Sequence, residues 1–136
     1  MKRTAAAGSV GLVVVFGLLG CSPGGGSWPT AMPDFVFKEV PLLESASEEY
    51  GQLELLTYAS MSHRLGLPEG DLSEAQSGGW TIVSICADGD DLSDVVHLRA
   101  GVIPTEYVDE TVMEAAEAGE LLPVDCEPDW QVFPSQ

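Results

Sequence analysis

Histidine and serine are the side chains of this sequence that could assemble a hydrolytic site. The chain has two histidines, His63 and His97, and His63 closely follows Ser60 and Ser62. A histidine that contacts a serine hydroxyl and is oriented by an acid activates that hydroxyl as a nucleophile. No G-x-S-x-G motif occurs, and acids are so frequent that some Ser, His and acid combination is always available. A small hydrolase therefore stays an alternative function.

A second group of candidate residues is acidic. Asp88, Asp90 and Asp94 lie in one short polar segment, and clustered carboxylates are the ligands that Ca²⁺ prefers. The segment departs from the EF-hand pattern, because Leu92 stands at its fifth position and Arg99 where a glutamate is needed. Asp-Gly-Asp is also ordinary turn composition. The sequence therefore predicts a turn, with the three aspartates as weak metal candidates, and it predicts no cofactor.

The start of the chain has the layout of an export signal. Lys2 and Arg3 make it basic, and an apolar run follows from Ser9 to Leu19. A basic start, an apolar run of about 7–15 residues and small residues at the cleavage point define a secretory signal. The run is shorter than the about 20 apolar residues of a membrane-spanning helix. We therefore predict that residues 1–20 are a signal peptide.

The end of this run, Leu18-Leu19-Gly20-Cys21, resembles the lipobox of bacterial lipoproteins. Leu18 stands where that family favours leucine, and Gly20 is the small residue before the cysteine. The resemblance implies that the signal is cut before Cys21 and that the Cys21 thiol carries a lipid. Two or more acyl chains hold a protein firmly, because each buried CH₂ contributes about 0.8 kcal/mol. The implied partner is the membrane, and the implied location is the extracytoplasmic face of a bacterial cell membrane.

The rest of the chain divides into a tether and a domain. Glycine and serine dominate the residues from Ser22 to Ser27, and such segments behave as flexible coil. Two proline-containing pairs prolong the irregular stretch, so residues 21–34 are assigned to a flexible tether. The remaining length suits one domain, which we place at residues 35–136.

Composition excludes one class of partner. The chain has 5 Lys and Arg against 22 Asp and Glu, a formal net charge of −17, and Lys2 and Arg3 lie in the predicted signal. Nucleic-acid binding depends on clustered basic residues, so we exclude it. The acidity itself favours solubility rather than a particular activity.

The two remaining cysteines, Cys86 and Cys126, predict a disulfide. A pair of cysteines in an exported domain favours this bond, and closing a loop of this length stabilises a fold by about 4 kcal/mol in the chain-entropy model. Zinc is disfavoured because neither cysteine belongs to a CxxC pair. Catalytic thiol chemistry is disfavoured because both stand among acids.

The strongest secondary-structure pattern is a pair of strands. The residues from Trp80 to Ala87 are apolar on both faces, as in a strand covered on both sides. Residues 94–103 alternate and form the second strand, with His97 outward beside Arg99. The polar segment between them predicts an antiparallel hairpin.

Helices are predicted around this hairpin. Val108, Val112, Ala115 and Ala116 share one helical face, so a helix is predicted over residues 105–118 with Thr105 as its cap. A shorter helical turn over residues 72–76 precedes the hairpin and ends at a glycine pair.

The segment before the hairpin is less clearly patterned. Residues 35–40 are aromatic and branched, which predicts a strand ended by Pro41. Residues 46–64 leave two alternatives open. Either a helix begins at a capping box from Ser45 to Glu48, or a strand runs from Leu53 to Tyr58.

These patterns predict an α+β domain with a small antiparallel sheet, one or two covering helices and one disulfide. The order of a helical turn at residues 72–76 followed by two strands is similar to that of PASTA modules, which implies binding to cell-wall material. The predicted function is that of a membrane-anchored extracytoplasmic lipoprotein with a non-enzymatic binding or interaction domain. The alternatives are a small cell-envelope hydrolase that uses His63 or His97, and a PASTA-like cell-wall binder.

Overall fold

The computed structural model describes residues 29–50 and 52–134. The predicted signal peptide, Cys21 and the first part of the predicted tether lie outside these residues. Within the described ranges, no helix is long and apolar enough to cross a membrane.

The described residues form a four-stranded sheet with two α-helices. The strands are β1 (Leu55–Ser60), β2 (Trp80–Ala87), β3 (His97–Pro104) and β4 (Gln131–Phe133), and the helices are α1 (Val40–Tyr50) and α2 (Glu110–Glu117). Short 3₁₀ helices lie at Met32–Phe35, Ser62–Leu65, Leu72–Ser77 and Thr105–Tyr107. The strand order is β1-β3-β2-β4. The predicted α+β fold is confirmed.

The sheet is mixed rather than purely antiparallel. The hairpin of β2 and β3 is antiparallel, as predicted, and β4 pairs antiparallel with the other edge of β2. β1 pairs parallel with β3, in the register Leu55↔His97 to Ser60↔Val102. The chain between β1 and β3 contains β2, so β1 reaches β3 by a crossover, which a parallel pair requires.

Two hydrophobic clusters cover the two faces of the sheet. On one face, α1 contributes Val40, Leu43 and Ala46 to a cluster that includes Ile82 and Ile85 of β2. On the other face, the buried residues of α2 pack with Val83 and Ile103. All residues of β2 are buried, which confirms the prediction of a strand covered on both sides.

A β-bulge lies between Ile82 and Ser84, and it brings Val83 and Ser84 to the α2 face. The Ser84 hydroxyl donates a 2.6 Å hydrogen bond to the backbone carbonyl of Leu121. A Cβ on Gly101, the partner of Ser84 on β3, would lie 2.9 Å from both the Leu121 oxygen and Met61 Cγ, and would also clash with the Ser84 hydroxyl. Only glycine fits this close approach of two strands and a loop.

The predicted strand at residues 35–40 is wrong. Its start belongs to the 3₁₀ helix Met32–Phe35, and its last residue begins α1. Pro41 lies in the first turn of α1, where its missing N–H removes no helix hydrogen bond, so it is compatible with a helix start. The residues in between form a turn beside the β2 edge, in which Phe37 has a left-handed backbone with φ 69°. Ile82 N donates to Lys38 O at 2.8 Å, and a single bridge joins Glu39 to Thr81.

For residues 46–64, the strand alternative is confirmed at Leu55–Ser60, whereas residues 46–50 belong to α1, and the helix start at a Ser45 capping box is wrong. Ser45 lies inside α1, and β1 follows at Leu55–Ser60. The Ser47 hydroxyl donates to the Leu43 carbonyl at 2.7 Å, one helical turn earlier, so this hydroxyl is hydrogen-bonded within the helix.

Several predicted boundaries also move. Asp109 caps α2 by accepting a 3.0 Å hydrogen bond from Val112 N, and residues Thr105–Tyr107 form a separate 3₁₀ turn, so Thr105 does not cap the helix. The predicted turn at residues 72–76 is a 3₁₀ helix that ends at Gly78. Packing also starts before residue 35, since Met32 is fully buried.

Candidate functional site

The described structure brings polar and aromatic side chains together at one end of the α2 face. An open cleft of about 450 Å³ is lined by Leu55, His97, Arg99, Glu127, Asp129 and Trp130. His97 and Arg99 occupy alternate positions of β3 and therefore lie on one face of the sheet. Leu55 of β1 is the register partner of His97. We call this arrangement the cleft.

Cys86 holds the segment that covers the cleft, residues 127–131, at two points. The predicted disulfide to Cys126 is present, with a Cα–Cα distance of 6.0 Å. Cys86 is also the register partner of Val132 in β4 and of Arg99 in β3. Residues 127–131, here called the Trp130 loop, are thus attached at both ends beside Arg99. A tight turn inside the loop, with Trp130 N donating to Glu127 O at 3.1 Å, shortens it further.

Arg99 lies at the base of the cleft and is three-quarters buried, with 24% of its side chain exposed. Its Nη1 lies 2.9 Å from Asp125 Oδ2 and donates to Thr57 Oγ1 at 3.2 Å. Its guanidinium carbon lies 5.9 Å from the centre of the Trp130 ring, within cation–π distance. The Arg99 Nε is buried and makes no hydrogen bond within the described residues. Asp125 thus neutralises the charge of the Arg99 guanidinium, which is only partly exposed to water.

His97 forms the wall next to Arg99. Its ring stacks on Trp130 with 6.2 Å between ring centres and 6° between planes, a normal offset-stacking distance. On its other side, His97 Nδ1 lies 3.1 Å from Asp88 Oδ2. This carboxylate favours the tautomer that carries its proton on Nδ1, so His97 presents Nε2 as its other polar atom.

Asp88 holds His97 through the backbone as well as through the ring. Its carboxylate accepts hydrogen bonds from Val96 N at 2.9 Å and His97 N at 3.2 Å. Partial burial raises the pKa of Asp88, but these hydrogen bonds and the His97 ring outweigh that effect, and the pKa lies below its usual value. Asp88 is therefore a fixed support for the wall of the cleft.

Of the weak metal candidates, Asp88 supports the hairpin through its carboxylate. Asp88 is engaged with the backbone, and Asp90 and Asp94 do not join it in a ligand set, since the described residues contain no group of three or more His, Cys, Asp or Glu placed to hold a metal. Sequence reasoning missed Asp91, whose carboxylate accepts from Ser93 N at 3.0 Å and from the Ser93 and Thr30 hydroxyls. These bonds lower the Asp91 pKa and close the turn.

The hydrolase candidates come together in the wrong order. The Ser60 hydroxyl donates to Glu69 Oε1 at 2.8 Å, and His63 Nδ1 lies 3.9 Å from Glu69 Oε2. The acid thus lies between serine and histidine, whereas a triad needs the histidine in the middle. Ser62 is fully buried. Neither His63 nor His97 is hydrogen-bonded to a serine within the described residues.

No known protein family, curated protein or solved structure matches this chain. Two other depressions lie elsewhere on the described surface. One is an apolar groove that includes Val36, Phe37 and Pro134, and the other lies beside α2 and includes Leu65 and Glu114. Neither combines a cation, an imidazole and an indole as the cleft does.

Sequence analysis placed His97 and Arg99 on one strand but did not identify the cleft. Glu127, Asp129 and Trp130 belong to a segment without periodicity, whose position depends on its attachments. One feature of the sequence could have indicated the cleft. A bond from Cys126 to Cys86, combined with the hairpin register, places the residues after Cys126 beside Arg99.

Proposed function

We propose that this chain is a lipid-anchored extracytoplasmic bacterial protein whose domain binds a ligand at the cleft without catalysing a reaction. The lipobox-like Leu18-Leu19-Gly20-Cys21 segment supports the anchor. The observation that carries the binding role is the attachment of the Trp130 loop to Cys86 at both ends, through the disulfide to Cys126 and the pairing with Val132. A loop held this way presents side chains in fixed positions, and fixed positions lower the entropic cost of binding.

The cleft chemistry favours binding over catalysis. Arg99 is engaged by Asp125 and Thr57, and His97 is engaged by Asp88 and Trp130. A general base needs a substrate proton or a nucleophile within reach, and neither histidine is bonded to a serine in the part of the chain that the structure describes. What the cleft offers is an aromatic surface beside several polar groups, and polar groups at fixed positions give a binding pocket its specificity.

The disulfide is consistent with the proposed location. Disulfides persist in oxidising compartments outside the cytoplasm, and Cys86 is fully buried beside this bond. The strongly acidic composition supports a domain that stays soluble on its tether and is repelled by an anionic lipid surface. The lipid on Cys21 then holds the protein at the membrane.

The anchor is tested by intact mass and peptide mapping of the protein extracted from its native membranes without reduction. We expect an N-terminal peptide that starts at lipid-modified Cys21. The Cys21→Ala variant is the matched control and should be recovered without lipid in the soluble fraction. An unmodified N-terminus in the wild-type protein would refute the anchor.

The binding role is tested separately with soluble fragments of the bacterial envelope. We expect them to shift the NMR signal of the Trp130 indole N–H and to leave that of Trp80, which is 4% exposed, in place. Fragments that are chemically converted by the wild-type protein and left intact by a His63→Gln or His97→Gln variant would instead show an enzyme.

A further inference from the structure

We propose that the cleft selects a neutral, polyhydroxylated ligand, a saccharide, over charged ligands. This inference rests on the proposed binding role and names the ligand class of the same site. It follows from three properties of the lining: the balance of its charges, the mixture of its hydrogen-bonding groups, and the ring of Trp130.

The charges of the lining disfavour an anion. Arg99 is the cation of the cleft, and Asp125 lies 2.9 Å from its Nη1. Glu127 and Asp129 add two carboxylates to the rim, and the whole chain has a formal net charge of −17. An anionic ligand would therefore meet a neutralised guanidinium and two like charges, at the surface of a strongly acidic protein.

The same lining also disfavours a cation. The guanidinium of Arg99 lies 5.9 Å from the centre of the Trp130 ring, so it already occupies a cation–π position there. His97 stacks on the same ring at 6.2 Å. A cationic ligand that used Trp130 would have to lie next to the Arg99 charge, whose repulsion offsets the attraction of Glu127 and Asp129.

The hydrogen-bonding groups match hydroxyl groups. A hydroxyl both donates and accepts, and the cleft offers both partners. Arg99 Nη2, which makes no hydrogen bond within the described residues, is a donor, and the carboxylates of Glu127 and Asp129 are acceptors. His97 Nε2 is a further polar atom, since Asp88 engages Nδ1.

An apolar surface completes the site. Trp130 is half-buried, and Leu55 remains 38% exposed at the cleft wall. A sugar ring has an apolar C–H face, which packs through weak C–H contacts and apolar area on the part of the Trp130 ring that stays exposed beside His97 and Arg99. The volume of about 450 Å³ lies within the range of small-ligand pockets, about 300–1,000 Å³. The cleft therefore fits a short oligosaccharide.

The test uses the lipidated full chain in a detergent without sugar headgroups. The neutral probes are cellotriose and tri-N-acetylchitotriose, and the charged probes are spermidine and inositol hexakisphosphate. We expect at least one neutral probe to shift the Trp130 indole signal saturably, with Trp80 unmoved and the charged probes without effect. No shift with either neutral probe would overturn the saccharide assignment, as would a shift with a charged probe alone.

These outcomes separate the ligand class from the binding role. If envelope fragments shift Trp130 and the neutral trisaccharides do not, the cleft binds a ligand of another class, and only the saccharide assignment fails. If neither shifts Trp130, the proposed binding role fails as well.

Variants distinguish a neutral ligand from a cation. Trp130→Ala should weaken trisaccharide binding by about tenfold or more, because it removes the aromatic surface. The double variant Glu127→Gln with Asp129→Asn keeps hydrogen-bonding capacity and removes both charges, so trisaccharide affinity should change by less than about threefold. A tenfold loss of trisaccharide affinity in this double variant would show that binding depends on the two negative charges, which contradicts the proposed recognition of a neutral ligand.

A control and a second variant guard against loss of folding. Val124→Ala changes an 85% exposed residue just before the disulfide and should leave affinity unchanged. Trp130→Phe keeps an aromatic ring and should bind more tightly than Trp130→Ala. Equal affinity of the two Trp130 variants and the wild type would refute the role of the ring.

Discussion

The α2 face of the sheet has two halves that are built differently, although one strand, β3, runs through both. In the first, here called the helix half, Ile103 and Val83 pack under α2 and Leu121 in an apolar cluster. In the second, the cleft half, Arg99 and His97 lie under the Trp130 loop. Gly101 lies between them, where strands and loop approach most closely.

The two halves of this face are held by different forces. Burial of apolar surface, worth about 25 cal/mol per Å², stabilises the helix half. Polar side chains such as Arg99 and His97 gain little from burial and lose hydration, so they do not by themselves hold a covering segment. The covalent bond from Cys86 to Cys126 supplies that hold, and the side chains of His97 and Arg99 stay partly exposed.

Loss of the disulfide should have the largest effect and should separate the two halves. Cys126→Ala removes a cross-link that closes a loop of 40 residues, so we expect the free energy of unfolding to fall by up to about 4 kcal/mol, measured by urea denaturation. Under native conditions the Trp130 indole signal should move to the position of an exposed tryptophan, and that of Trp80 should not.

Val124→Ala is the matched control, because it alters the same segment and keeps the bond. If Cys126→Ala left the Trp130 signal in place, the disulfide would not be what holds the cleft half. If both tryptophan signals moved together, the two halves would not be independent.

Substitution at the junction of the halves should have the next largest effect. In Gly101→Ala the new methyl group meets Ser84, Met61 and the Leu121 carbonyl, and overpacking of this kind costs about 1–3 kcal/mol. Ser84→Ala alone should cost about 1 kcal/mol, because it leaves the Leu121 carbonyl without its donor.

The double variant Gly101→Ala with Ser84→Ala tests this explanation. Removing the hydroxyl relieves part of the clash, so the double variant should unfold at a higher urea concentration than additivity predicts. Strict additivity of the two losses would contradict a direct clash.

The helix half was more predictable from sequence than the cleft half. Apolar runs and periodicity determine β2, β3 and α2, and all three elements were predictable from them. The presence of two cysteines in a predicted exported domain was enough to predict the bond between Cys86 and Cys126. Tertiary attachment, in contrast, determines the Trp130 loop, which has neither periodicity nor a motif.

The wrong prediction of a strand over residues 35–40 has a local cause. Residues 35–40 have strong β propensity, but Val40 and Pro41 begin α1, because proline suits a first helical turn. Tertiary contacts stabilise β1 as a strand. One of them is the hydrogen bond that the Tyr58 hydroxyl donates to the Glu44 carboxylate of α1. Burial raises the Tyr58 pKa, and Glu44 raises it further. That contact joins β1 to α1, and no periodic pattern in the sequence indicates it.

Within the cleft half, Arg99 should matter more for stability than its partner Asp125. Arg99→Gln removes the ion pair, the bond to Thr57 and the cation–π contact, and we expect a loss of about 1 kcal/mol by urea denaturation. The loss stays modest because the variant also removes the buried, unpartnered Nε–H. Asp125 is 59% exposed, so Asp125→Asn should cost less than about 0.5 kcal/mol. Equal losses would contradict this ranking.

The smallest expected effect is a pH dependence confined to the cleft half. The Asp88 pKa is lower in the folded protein than its usual value because of its bonds to Val96 N and His97. Such a carboxyl stabilises the fold at pH values above its unfolded pKa of about 4, and this contribution is lost as the pH falls through the folded pKa. The stability difference between wild type and Asp88→Asn should therefore be largest near neutral pH and shrink in acid.

Urea denaturation of both proteins from neutral to acidic pH measures this difference. Asp90→Asn is the matched control, because it removes the same formal charge from the exposed turn and leaves the bonds of Asp88 intact. In Asp88→Asn at neutral pH, the Trp130 indole signal should also shift, because His97 loses the carboxylate that orients its ring against Trp130. An unshifted Trp130 signal in Asp88→Asn would show that Asp88 closes the hairpin without supporting the cleft.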